Sequence, residues 1–421
     1  MTVAELRSCR PEALEAAGSA LLADRGRLAR VSLGLRDAAP PTDWCGASGH
    51  AARERHQRLR PGVEHLQRRA RTVAAALDLA AAALRAAQRA LEAALDASDV
   101  PGALGALAAA EQADRTLART LDPHGWDDAR HAELSARLEP LRQRLEAEGE
   151  TTMLVDLDAL EAALAADPDL RLLQLDATGD HLRAAVAVGD VASADHVAVL
   201  VPGLGTTLAG RLAAGLRDTD RLLDRARVVD AAVDGDVHDT YAGVWFLDYE
   251  PPLPGPDVLE AADDERAERG SRELAGLVGL VDDARPDGVH VTVLGHSYGS
   301  LVVGMALRQP TGVDDAVVLG SPGLGTDDVG ELTLPAGHGY LLEADLDPVG
   351  DLGWFGRDPS RLDGLTHLST DEAVHRGERL EGIRGHTSYD DAGTTSLHNQ
   401  AAVVAGHPEE AVGTDALGCA P

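Results

Sequence analysis

The spacing of apolar residues changes near Ala165, and this change limits the fold more than any other feature of the chain. Upstream, Leu14, Leu21, Leu28 and Leu35 recur every seven residues with Ala17 and Val31 between them. Residues 11–37 are therefore predicted to form an amphipathic helix, with Pro11 in its first turn. Leu59, Val63, Leu66, Ala70, Val73, Leu77, Ala80, Leu84, Ala87, Leu91 and Ala94 then alternate by four and three, which is a heptad seam. Two more helices are expected at 102–121 and 128–148, the second carrying Leu134, Leu138, Leu141 and Leu145. Residues 1–165 thus read as an all-α helical bundle.

From ADPDLRLLQLDATGD onward, short apolar runs separated by turns replace the heptads. Strands are expected near 171–176, 183–188, 196–201, 243–248, 289–294, 315–319 and 339–344, with helices near 206–226, 257–284 and 298–308. Alternation of this kind predicts a mostly parallel sheet with helices on both faces, so residues 166–421 are assigned to an α/β domain.

A chain of 421 residues with 44% hydrophobic content can build such cores. Its charge is uneven: residues 1–150 are nearly balanced, whereas residues 151–421 hold 48 Asp and Glu against 17 Arg. That field repels phosphate backbones and anionic lipid, which argues against a nucleic-acid partner. Cys9, Cys45 and Cys419 are widely separated and suggest neither a disulfide framework nor a zinc site. No stretch has the length and apolarity of a membrane span or the pattern of a signal peptide, so a cytoplasmic location is expected. The turn holding Trp44, Cys45 and Gly46 between two helices resembles the hairpins of WXG-type proteins exported by type VII secretion. That likeness implies a protein partner for the bundle.

Within the α/β region, VHVTVLGHSYGSL joins a strand of β-formers, Val289 to Leu294, to a helix beginning near Ser300. In a nucleophile elbow the serine sits on a sharp strand-to-helix turn that pushes its Oγ out of the sheet, and small neighbours let the helix approach. Gly295, Gly299, Ser300 and Gly304 supply those neighbours, so Ser297 is the candidate nucleophile.

A serine needs a base to take its proton and a carboxylate to orient that base. In this architecture the acid follows a late strand and the histidine comes last. HGYLLEADLDPVG offers Asp347, with Asp345 as the alternative; Pro348 fixes the turn behind Asp347 and favours it. Among the later histidines, His386 lies in the Gly-flanked loop IRGHTSYDDAG before the last helical stretch, and His367 and His375 are its rivals. The oxyanion is expected to meet the amide of Tyr298 and that of Leu204 or Gly205 in the loop VPGLGTT. His296 reads as a packing residue, because adjacent positions on an elbow point apart. GLGTT lacks the endings of phosphate-binding loops and no histidine cluster has ligand spacing, so no cofactor or metal is expected.

Together VPGLGTT, VWFLDYEPPLP, VTVLGHSYGSLVVG and GHTSYDDAGTTSLHNQAAVVAG resemble a family of actinobacterial α/β-hydrolases known only as a domain of unknown function, over about residues 165–410. The resemblance implies the α/β-hydrolase fold, an N-terminal helical region, and Ser297, Asp347 and His386 as the triad. Asp248 stands before Tyr249 where a glycine is expected. Fewer than twenty residues separate Ser321 from the strand at 339, too few for a large cap. The resulting expectation is a serine hydrolase acting on small-molecule or lipid-like esters. Thioester or amide cleavage and acyl transfer use the same machinery, and a helical interaction protein with a non-catalytic hydrolase scaffold is the alternative of another class.

Overall fold

The computed structural model describes residues 2–23, 73–75, 77–97, 99–121, 126–234, 239–252, 264–284, 288–350 and 354–414. By its internal contacts the chain divides into two units, one of residues 1–126 with 283–288, the other of residues 127–282 with 289–421.

The second unit is built on an eight-stranded sheet with the order β1-β2-β4-β3-β5-β6-β7-β8. Its strands are β1 (Arg171–Asp176), β2 (Arg183–Val188), β3 (His196–Val201), β4 (Tyr241–Leu247), β5 (His290–His296), β6 (Asp315–Leu319), β7 (Gly339–Leu342) and β8 (Thr366–Leu368). β2 runs antiparallel to β1 and β4, and the other neighbours pair in parallel. The central strands are buried along their length: every residue of β4, YAGVWFL, is inside. Such runs belong to sheets covered on both faces.

The helices of this unit are α1 (Trp126–Ser135), α2 (Leu138–Glu148), α3 (Thr151–Ala166), α4 (Leu208–Asp234), α5 (Asp264–Ala284), α6 (Tyr298–Leu307) and α7 (Thr395–Val404). Leu222 and Ala226 of α4 and Leu397 and Ala401 of α7 form one buried cluster with Ala198, Leu294 and Val317 of the sheet. Val293, the neighbour of Leu294, faces the other side and meets Leu274 and Val278 of α5 and Val303 of α6. This is the two-residue alternation of a strand read in three dimensions. A small hairpin, β9 (Ala373–His375) and β10 (Glu378–Leu380), stands apart from the sheet.

The sequence reading set the boundary between the two parts at 165, where apolar spacing changes, but the packing changes earlier, at Asp127. The Leu172 amide donates to His131 Nδ1 at 2.9 Å, and Arg130 Nε donates to the Leu173 carbonyl at 3.0 Å. Asp156 of α3, 1% exposed, accepts from the Leu182 amide at 3.2 Å and the Ala209 amide at 2.9 Å, and pairs with His181 Nδ1 at 2.8 Å. Helical periodicity thus continues past the point where the chain begins to serve the sheet. β4 begins two residues earlier than expected and β7 ends at Leu342; three-residue strands such as β8 to β10 carry no periodicity to read.

In the first unit the chain is helical at Val3–Ser8, 11–23, 73–75, 77–96 and Val100–Leu121. Leu6, Leu84, Ala87, Leu91, Ala106 and Ala110 form a buried cluster. In the described part of the heptad seam Val73 is half-buried, and Leu77, Ala80, Leu84, Ala87, Leu91 and Ala94 are buried. Gln88 Nε2 donates to the carbonyls of Leu6 at 2.9 Å and Cys9 at 3.1 Å. The Trp44–Gly46 turn, Cys45, Cys419 and the start of the seam lie outside the described residues. Among the described residues, no helix is long and apolar enough to cross a membrane.

Candidate active site

β5 ends at His296 and α6 begins at Tyr298, so the whole reversal falls on Ser297, at φ 55° and ψ −126°. A positive φ is costly for any residue with a Cβ, and such strain persists only where its surroundings enforce it. Here the Ser297 amide donates to the Leu319 carbonyl at 2.9 Å, while the Ser297 carbonyl accepts from the Ser300 amide at 2.9 Å and Ser300 Oγ at 2.6 Å. The glycines named in the sequence act by absence. A Cβ on Gly299 would overlap the carbonyls of Val201 and Pro202, and one on Gly295 would lie 2.8 Å from Ser300 Cα.

Asp347 follows β7, and His386 lies in the loop leading toward α7. His386 Nδ1 is 2.9 Å from Asp347 Oδ1 and 3.0 Å from Oδ2. Asp347 also accepts from Tyr389 Oη at 2.7 Å and from the Val349 amide at 2.9 Å. Burial pulls this carboxyl upward, but the bonds from His386, Tyr389 and the Val349 amide outweigh it and hold the group at about 2. An ionised carboxylate fixes the proton on Nδ1, which leaves Nε2 as the basic nitrogen. Gly320, at φ 51° after β6, makes room for the pair: a Cβ there would fall well inside 3.0 Å of Asp347 Oδ2 and 3.1 Å from His386 Nδ1.

The rivals lie elsewhere. Asp345 is an exposed residue whose carbonyl accepts from the Gly385 amide at 2.8 Å. His375 pairs with Glu410 at 2.9 Å, and His367 sits on β8. His296 packs as expected: its Nε2 donates to the His386 carbonyl at 2.8 Å, and the two rings are 4.7 Å apart. Burial pushes His296 down to about 4, so it stays neutral as a donor.

The loop from Pro202 to Thr207 passes beside Ser297, where a Cβ on Gly203 would come within 2.7 Å of Ser297 Cβ. The loop is anchored throughout. Tyr249 Oη donates to the Pro202 carbonyl, Thr206 Oγ1 to the Gly203 carbonyl at 2.7 Å, and the Gly210 amide to Thr207 Oγ1 at 3.1 Å. The Gly205 amide donates to the Pro252 carbonyl at 2.9 Å, so of the two amides expected to face an oxyanion Gly205 is already committed and Leu204 remains. Tyr298 is the first residue of α6, where the partial positive charge of the helix terminus favours an anion.

Ser297, His386, Tyr298 and Leu204 line one cavity of about 590 Å³, lined by residues of the sheet unit alone. Trp354 and Phe355 border it, and the Tyr298 ring meets Phe355 edge-on at 5.6 Å. No side-chain hydrogen bond joins Ser297 to His386 here; apo sites often close that contact only with substrate. Tyr389 and Gly320 were not singled out by sequence reasoning, although Tyr389 stands three residues after His386 in the motif. Asp248, the departure from the expected glycine, ends buried just after β4, and burial with nearby Glu273 pushes its carboxyl up to about 7.

A family described as alpha/beta hydrolase matches residues 177–356. An uncharacterized protein of Mycobacterium tuberculosis is 31% identical over 242 residues, spanning 55% of this chain and 88% of the relative. The chain belongs to the alpha/beta-hydrolase family. A second uncharacterized protein of Mycobacterium tuberculosis is 32% identical over 257 residues, 55% of this chain and 38% of its own length. Among solved structures, an esterase from Pyrobaculum calidifontis is similar at 14% identity over 63% of this chain and 97% of the esterase, with a TM-score of 0.32, a likeness too loose to bear on the reaction. This alpha/beta hydrolase carries its candidate residues at the C-terminal ends of β3, β5 and β7, where ligands bind in open α/β sheets.

Proposed function

We propose that this alpha/beta hydrolase cleaves carboxylic esters through an acyl-enzyme formed on Ser297. The observation that carries the reading is the Asp347 carboxylate 2.9 Å from His386 Nδ1, with His386 lining the same cavity as the strained Ser297. Ser297 Oγ attacks the ester carbonyl while His386 Nε2 takes its proton. The tetrahedral oxyanion is stabilised by the amides of Tyr298 and Leu204. Collapse expels the alcohol, which receives the proton from His386. Water then attacks the acyl-serine, again giving its proton to His386, and the acid leaves with Ser297 restored. Asp347 remains ionised throughout and stabilises the imidazolium.

Each polar part supports one step. The anchored 202–207 loop supplies an amide donor that needs no reorganisation during reaction, which is where such sites gain most. The same machinery serves thioesters and amides, so the leaving group is a matter of the cavity walls. Reaction with a fluorophosphonate probe tests the proposal: one covalent adduct is expected, lost in Ser297→Ala. Folded protein that remains unlabelled would instead favour a non-catalytic scaffold.

A further inference from the structure

The cavity beside Ser297 runs down one face of the sheet. Trp245 of β4 pairs with Leu200 of β3, and Leu200 with Leu294 of β5, so the three side chains form one row on the face that α4 and α7 cover. All three line the cavity, together with Gly215 of α4 and Gln400 of α7. Gly215 admits the indole of Trp245, since a Cβ there would overlap it.

Two polar atoms of this slot lie deep in the protein and have no partner. Trp245 is 3% exposed and Gln400 1%. Gln400 Nε2 donates to the Tyr389 carbonyl at 2.8 Å and to Ser396 Oγ at 3.3 Å. Ser396 Oγ itself donates to the Tyr389 carbonyl at 2.8 Å, so both neighbours act as acceptors and the nitrogen of the side-chain amide must face them. Gln400 Oε1 is thereby turned away, and it accepts from no described residue. Trp245 Nε1, which can only donate, finds no acceptor among the described residues. None of the fully enclosed side-chain atoms that lack a partner belongs to a residue lining the cavity, so both of these atoms open onto it.

A ligand that displaces water from such atoms loses affinity unless it returns their hydrogen bonds. A hydrocarbon chain returns neither; a carboxylate can only accept and an ammonium can only donate. α4 packs on β4, whereas α7 packs on β3, β5 and β6, so the donor and the acceptor come from elements set side by side across the strands. A hydroxyl presents both functions from one oxygen. A trans secondary amide presents them from opposite edges of a plane, which suits a donor and an acceptor supplied from two sides of a slot.

We propose that the substrate carries a secondary amide beside its ester, with Trp245 Nε1 donating to the amide carbonyl and Gln400 Oε1 accepting from its N–H. Both are specificity-determining residues, and the inference rests on the hydrolase reading above. The amide belongs either to the acyl chain or to the alcohol, and its contacts in the slot are the same.

The test compares kcat/KM for esters of matched length. On the acyl side these are ethyl 4-acetamidobutanoate, ethyl 6-oxoheptanoate, which keeps the carbonyl and loses the N–H, ethyl 6-hydroxyheptanoate and ethyl heptanoate; on the alcohol side, 3-acetamidopropyl butyrate and hexyl butyrate. One amide ester should exceed its hydrocarbon counterpart by ~10-fold or more, and which one it is identifies the side that carries the amide. If it is the acyl side, the ketone should fall between the amide and the hydrocarbon. Gln400→Met should then bring the amide down to the level of the ketone, and Trp245→Phe should bring the ketone down to that of the hydrocarbon. On the alcohol side either variant should shrink the ratio of 3-acetamidopropyl to hexyl ester. Trp245→Phe, which keeps an aromatic ring, carries the test should Gln400→Met fail to fold. Turnover with no preference for either amide ester overturns the proposal. So does a hydroxy ester preferred as strongly as the amide, or an equal loss on all esters in the variants. No turnover of any ester, with no fluorophosphonate adduct, removes the underlying hydrolase reading instead.

Discussion

Gly320 gives the sharpest test of how the candidate acid and base are held. Its φ of 51° lies in the left-handed region, and an added Cβ would crowd Asp347 Oδ2, His386 Nδ1 and Tyr389 Cε2 together. In Gly320→Ala two costs arise. The backbone cost of an alanine at positive φ is ~1–2 kcal/mol of stability. The steric cost falls on the site: restoring ordinary contact requires the Asp347 carboxylate to move by ~1 Å and the imidazole it holds by a few tenths of that, and misplacement on the larger scale costs ~100-fold in kcat. Gly377 is the matched control, since it has φ 85° and nothing within 4 Å of its Cβ position. Gly377→Ala should lose similar stability with little loss of turnover. Thermal unfolding and kcat on a chromogenic ester measure the two effects separately. A Gly320→Ala enzyme with kcat within a factor of two of the parent would refute the placement of Asp347 and His386 at the centre of the reaction.

Other outcomes follow from the same geometry. Ser297→Ala and His386→Ala should each lower kcat by ~10³-fold or more, with Asp347→Asn similar because it frees the His386 tautomer. The Asp347 carboxyl lies below its unfolded value, so its contribution is fully present above pH ~4 and disappears as pH falls toward 2. Denaturation at stepped pH should show a loss on the order of 2 kcal/mol across that window, absent in Asp347→Asn. Tyr389→Phe removes the bond to Asp347 and strands the Ala344 amide, which donates to Tyr389 Oη at 2.9 Å; a stability loss of ~2 kcal/mol is expected by urea titration. Removing residues 1–126 should leave a folded sheet unit, whereas removing 1–160 deletes Asp156 and should destabilise it, as near-UV circular dichroism would report.

The features legible in the sequence were those that depend on local pattern. β5 with its elbow, and the long helices, have enough residues for periodicity to show, and the burial of Leu77, Leu84 and Leu91 follows the seam. The candidate residues were legible in their order along the chain: Ser297 and His386 line one cavity, and Asp347 meets His386. Its supporting contacts were not. Whether Leu204 or Gly205 has a spare amide depends on where the Pro252 carbonyl lands, and Gly320 matters because of residues 27 and 66 positions away. The division of contacts at Asp127 was hidden for a related reason. Helices that serve a sheet repeat like helices that serve a bundle, and only a long-range bond such as Asp156 to Ala209 tells them apart.

Gly203, Gly299 and Gly320 surround the serine and the Asp347–His386 pair at distances where even a methyl group has no place. A lineage of such proteins can therefore explore new substrates through only part of its lining. Substitution at these backbone positions displaces the neighbours that form the site, whereas Trp245 and Trp354 line the cavity with side chains. On the proposed reading, the chemistry rests on residues that have no side chains to change, and selectivity on those that do.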